Sequence, residues 1–126
     1  MFVRTLIPVV AAAFALVAAA PPPLAISASP RFGFEPFSTR VKLTIEPSAA
    51  NRAACFNYDS IEGNYSSSCW TLDAGSRRVT WRTVENLPAG HYTLALIIVR
   101  VDGSQQLVTT TVCSLPSGLS DGEPCT

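Results

Sequence analysis

Histidine occurs once in the 126 residues, methionine only as Met1, and charged residues make up just 14% of the chain. Each scarcity removes a class of function. A Ser-His-Asp or Cys-His machinery would have to be built on His91, and no G-x-S-x-G or comparable nucleophile motif accompanies it. A thioether copper site has no methionine to use beyond the first residue. No C-x-x-C occurs, and cysteine separations of 14, 44 and 12 residues do not resemble zinc-ribbon spacing. Nothing selects a cooperating pair from the acidic residues for glycosidic chemistry. Nine Lys+Arg balance nine Asp+Glu, and the basic residues are scattered singly apart from Arg77-Arg78. That leaves no electrostatic footprint for nucleic acid or an anionic membrane surface. The sequence therefore predicts no enzyme, no cofactor and no metal, and its length suits one domain.

What is abundant is apolar residues, 48% of the chain, and many of them lie at the N-terminus. Arg4 precedes an unbroken run of apolar and small residues from Leu6 to Ala20, followed by Pro21-Pro22-Pro23 and Leu24-Ala25-Ile26-Ser27-Ala28. A short positive start, an apolar stretch and small residues form the layout of a secretory signal peptide. A proline directly after Ala20 would obstruct cleavage there, so the expected leader is 1–28 with the mature chain starting at Ser29. The run is too short to span a bilayer, which needs about 20 apolar residues. Removing 28 of 126 residues leaves 98, with 8 basic and 9 acidic side chains. A secreted or periplasmic domain of that size commonly adds disulfides, and Cys55, Cys69, Cys113 and Cys125 supply an even number.

After residue 30 no window sustains a 3.6-residue apolar period, and turn residues recur every 8 to 14 positions. The chain is expected to be all-β. Val41 to Glu46 alternates apolar and polar up to Pro47, as a half-buried strand does. Further strands are expected at 53–58, 65–72 and 78–87, with a short edge strand in Phe32 to Phe37. His91 to Val101 carries apolar residues on both faces, marking a central strand. Asp102-Gly103 suits a two-residue reversal into the return strand 105–113. About seven strands in some 85 residues is the density of an antiparallel immunoglobulin-like β-sandwich. The expected division is a leader 1–28, a sandwich 29–114 and a tail 115–126 with little ordered structure.

Leu87-Pro88-Ala89-Gly90-His91-Tyr92 resembles the L-P-x-G-x-Y corner of fibronectin type III-like and other bacterial immunoglobulin-like domains. Together with Ile45-Glu46-Pro47, Asn51-Arg52-Ala53, Ser67 to Asp73 and Asp102-Gly103-Ser104, it resembles a group of short, uncharacterised secreted bacterial proteins built on one such domain. The resemblance covers roughly residues 40 to 113. It implies that Leu87 and Tyr92 are structural, and it implies no activity. Cys55, Trp70 and Cys113 also follow the Cys…Trp…Cys order of true immunoglobulin domains. In that family a tyrosine precedes the second cysteine by two residues, where this chain has Thr111. Local pairing of Cys55 with Cys69 and Cys113 with Cys125 is therefore preferred over a cross-sandwich Cys55 to Cys113 bond.

Function is expected to be non-covalent binding of a protein or glycan partner. The alternatives are a structural, envelope-associated role without a discrete ligand and, behind it, a small secreted inhibitor. The segment between Cys55 and Cys69 is rich in Tyr, Asn, Ser and Gly, the composition of adaptable binding loops. Its candidate contact residues are Tyr58, Asp59, Glu62, Asn64 and Tyr65. Asp59, Glu62 and Asn64 also offer oxygen ligands, without the dense D-x-[DN]-x-[DN]-G spacing of a calcium loop. Trp70 and Trp81 are expected in the core, although either could form a stacking platform.

Overall fold

The computed structural model describes residues 24–117, which form eight strands and no helix. They are β1 (Leu24–Ser29), β2 (Phe32–Phe34), β3 (Phe37–Ile45), β4 (Asn51–Ser60), β5 (Tyr65–Thr71), β6 (Val79–Leu87), β7 (Gly90–Arg100) and β8 (Gln105–Leu115). Two sheets pack face to face as a β-sandwich, one ordered β1-β3-β6 and the other β2-β8-β7-β4-β5. Every pairing is antiparallel except β2 with β8.

Period-two alternation decides which side chains reach the core. In β3, Phe37, Thr39, Val41, Leu43 and Ile45 point inward and are buried. Tyr92, Leu94, Leu96 and Ile98 do the same from β7. Each fully buried aliphatic side chain contributes about 1.5–3 kcal/mol relative to exposure. The sequence pattern sees β3 only from Val41, because the inward Thr39 looks polar. Its hydroxyl donates to the Pro30 carbonyl at 2.8 Å, so it enters the core without an unmet bond. Ser114 likewise donates to the Leu87 carbonyl at 3.0 Å, and the Asn51 amide donates to that of Glu46 at 2.9 Å.

Two strands extend past the expected boundaries of the sandwich. Leu24 to Ala28, assigned from sequence to the leader, are five of the six residues of β1. Leu24 and Ala28 are buried, and β1 pairs with β3 from Leu24 opposite Ile45 to Ser29 opposite Arg40. A chain starting at Ser29 would uncover that flank of β3. Leu115, placed in the tail, is the last residue of β8 and lies beside Phe34. The expected 1–23 portion of the leader and 118–126 portion of the tail, including Cys125, lie outside the described residues.

The β7–β8 reversal is also longer than expected. Arg100 donates its N–H to the Ser104 carbonyl at 2.9 Å, closing a three-residue loop of Val101, Asp102 and Gly103. Gly103 takes φ 89°, the left-handed residue that follows a type I turn in such loops. The Asp102 carboxylate accepts from Ser104 N–H at 2.8 Å, and hydrogen bonds from the Ser104 hydroxyl and then its N–H hold the Asp102 pKa below the usual carboxylate value.

The tryptophans separate. Trp70 faces inward from β5 and packs against the core, with the Arg82 guanidinium 4.6 Å from its ring centre. Arg82 thereby covers the gap between the sheets at the β5–β6 side. Trp81 does not join the core: it lies on the outer face of edge strand β6, 48% exposed, beneath Arg40 at 4.4 Å. The parity that turns Val84 inward turns Trp81 outward.

Candidate functional site

The Leu87–Tyr92 corner anchors one end of the sandwich. Leu87 and Tyr92 are each 1% exposed. The Tyr92 hydroxyl donates to the Pro88 carbonyl at 2.8 Å and accepts from the Asn64 side-chain amide at 3.0 Å. Burial is the main cause that raises the Tyr92 pKa above 10.0, partly offset by the Asn64 bond. Tyr58 packs edge-on against the Tyr92 ring with centroids 5.9 Å apart. Gly90 lies close under the Glu62 carboxylate, whose end would have to move aside for a Cβ 2.5 Å away. Glu35, which sequence reasoning did not single out, ties this corner to the end of β8: its carboxylate accepts from Ala89 N–H at 3.0 Å and Ser117 N–H at 3.2 Å.

These contacts divide the expected binding loop. Tyr58 and Asn64 turn toward Tyr92, and Glu62 lies against Gly90, so three of the five serve the corner. Asp59 and Tyr65 are directly opposite each other on β4 and β5 and are exposed. Cys55 and Cys69 form a disulfide across the same pair of strands. Cys113 is also disulfide-bonded. Cys55 is thereby unavailable for the cross-sandwich bond of immunoglobulin domains.

Next to the hairpin a groove of about 500 Å³ opens on the outer face of the larger sheet. Strand register builds it from segments distant in sequence. Thr111, Thr93 and Asp59 form one row across β8, β7 and β4, while Phe32, Cys113 and His91 form the next across β2, β8 and β7. One wall is Arg31 and Phe32, and the other is Asp59, Ser60 and Ile61. The Arg31 guanidinium donates to the Thr111 carbonyl at 3.3 Å and its hydroxyl at 3.4 Å, which fixes the cation at the groove edge. Phe32 is 65% and Ile61 91% exposed, so two large apolar side chains stand at the rims above a hydroxyl- and imidazole-bearing floor.

Such a site can stack or enclose an apolar group, offer hydrogen bonds from Thr93, Thr111 and His91, and present opposite charges on opposite walls. Among the described residues no three His, Cys, Asp or Glu side chains cluster to hold a metal ion, and no helix is long and apolar enough to cross a membrane. The groove was hidden in the sequence because Arg31, Phe32, His91 and Thr111 belong to no common motif and meet only through pairing. No family model matches the chain, and no curated protein matches it significantly.

Proposed function

We propose that the protein is an exported, non-catalytic binding module of immunoglobulin-like type, whose partner engages the groove beside the β4–β5 hairpin. The single observation that carries this reading is the pair of exposed apolar rims, Phe32 and Ile61, flanking a polar floor with Arg31 and Asp59 on opposing walls. Large apolar side chains left in water at a concave site are a cost to a domain that uses them for nothing. The disulfide between Cys55 and Cys69 supports export to an oxidising compartment. Local pairing extends to Cys113 with Cys125 in this reading. The partner is a protein or glycan of the cell envelope or medium.

Retention of a partner from the native host's envelope and medium tests the reading. A Phe32→Ala, Ile61→Ala double variant removes both rims without entering the core. It is expected to retain the partner at least tenfold less well, about 1.4 kcal/mol, with an unchanged melting temperature. Retention equal to the parent would refute the groove. Partition of the protein with insoluble wall or outer-membrane material, with no partner captured, would favour the structural alternative.

A further inference from the structure

We propose that β5 is a self-complementary docking edge through which two copies of this chain join their larger sheets into one. Strand β5 lies at the end of the order β2-β8-β7-β4-β5, so one side of its backbone faces away from the sheet. Which groups face outward follows from the register. Ser60 N–H donates to Asn64 C=O at 2.9 Å, and Leu72 N–H donates to Arg52 C=O at 3.0 Å. These bonded pairs bracket a register in which Tyr58 faces Ser66, Phe56 faces Ser68 and Ala54 faces Trp70. Antiparallel strands alternate bonded and non-bonded pairs, so the even-numbered residues of β5 direct their N–H and C=O groups to β4. The Cys55–Cys69 pair is then non-bonded, in keeping with its short Cα–Cα distance of 4.0 Å. Tyr65, Ser67, Cys69 and Thr71 therefore aim their backbone groups out of the sheet. None of these groups has a partner among the described residues.

Proteins ordinarily protect such an edge with charge, proline, bulges or a very short strand. Strand β6 carries Arg82 and Glu85 and is bulged near Asn86, whose φ is 58°. Strand β2 has three residues and is soon followed by Pro36, and the sequence brackets β1 with Pro23 and Pro30. Strand β5 reads Tyr-Ser-Ser-Ser-Cys-Trp-Thr and has none of these devices. It also contributes little to the core, with only Trp70 half-buried, yet the disulfide pins its centre to β4.

A second copy fits this edge by symmetry. A two-fold axis at Ser68 places Ser67 opposite Cys69 of the other copy and Tyr65 opposite its Thr71. Both of those are pairs of outward-directed residues, so every outward N–H meets an outward C=O. Ser68 then faces Ser68 in a non-bonded pair, and no like charges oppose each other along the strand. The axis is perpendicular to the sheet and leaves both grooves on one side. If the groove binds as proposed, the dimer is bivalent, although the pairing does not depend on that reading.

Sedimentation of the disulfide-intact protein over a wide concentration range tests the proposal. The mass is expected to double with concentration. Ser68→Glu and Ser68→Lys each place like charges at the axis and are expected to stay monomeric, while their equimolar mixture dimerises again. Amide exchange adds a positional signature: Tyr65, Ser67, Cys69 and Thr71 should gain at least tenfold protection on dimerisation, while Ser66, Ser68 and Trp70 are protected throughout. A protein monomeric across the range would overturn the proposal. So would a dimer indifferent to charge at Ser68, or one in which those four amides gain no protection.

Discussion

Replacing Tyr92 by Phe isolates what one hydroxyl does for this fold. The ring stays, with its packing against Tyr58, and the substitution removes only the bond donated to Pro88 and the one accepted from Asn64. Each net hydrogen bond contributes about 0.5–1.5 kcal/mol. Pro88 is exposed, so its carbonyl can turn to water, whereas Asn64 is half-buried and leaves an amide hydrogen poorly satisfied. The loss should total about 2 kcal/mol, or about 10 °C in melting temperature for a domain near 100 residues. Urea denaturation at pH 7 measures it, with Tyr58→Phe as control because no hydrogen bond of the Tyr58 hydroxyl contributes there. High pH gives a second signature. Burial raises the folded pKa of Tyr92, so its stabilising contribution is fully present below the unfolded value near 10 and is lost as pH rises through the folded value. The parent should therefore lose stability above pH 10 more steeply than the Phe variant. A loss below about 0.5 kcal/mol at pH 7, with an unchanged denaturant slope, would refute the role assigned to the corner bonds.

Two further outcomes follow from the strands at the margins of the sheets. A Cys55→Ala, Cys69→Ala double variant should lose about 3 kcal/mol by the chain-entropy model for a loop of this length, read by denaturant titration, with fastest amide exchange in β5. A variant as stable as the parent would show that β5 is held without the bond. On the proposal that the chain is exported, N-terminal sequencing of the secreted form should find a start upstream of Leu24, because β1 covers the flank of β3 with Leu24 and Ala28 in the core. The sequence offers a cut after Ala19 that leaves Ala20 ahead of the prolines; an equally stable exported chain starting at Ser29 would show β1 to be dispensable.

Local pattern in the sequence is enough for the all-β class, five strands close to their observed limits, the C-terminal half of β3, the two apolar faces of β7 and the short β2. Those features rest on period-two alternation and turn residues, which are local and survive without knowledge of any partner strand. The preference for Cys55 with Cys69 was also legible, and their opposition across adjacent strands explains why the bond closes there. Tertiary structure alone decided the rest. Strand β1 has the small apolar composition that the sequence pattern assigns to a leader, and only its pairing with β3 reveals it as a strand. Trp81 carries the same hydrophobic signal as Trp70, yet the parity of β6 sends it outward. Three of the five residues expected to bind turn toward the Tyr92 corner, while Phe32, Thr93 and Thr111 come together in the groove from three separate strands. The direction of the β5 backbone is likewise set by which pairs bond to β4. Pairing between distant segments decides each of these outcomes, because register fixes both the face a side chain occupies and the side on which a backbone group is left open.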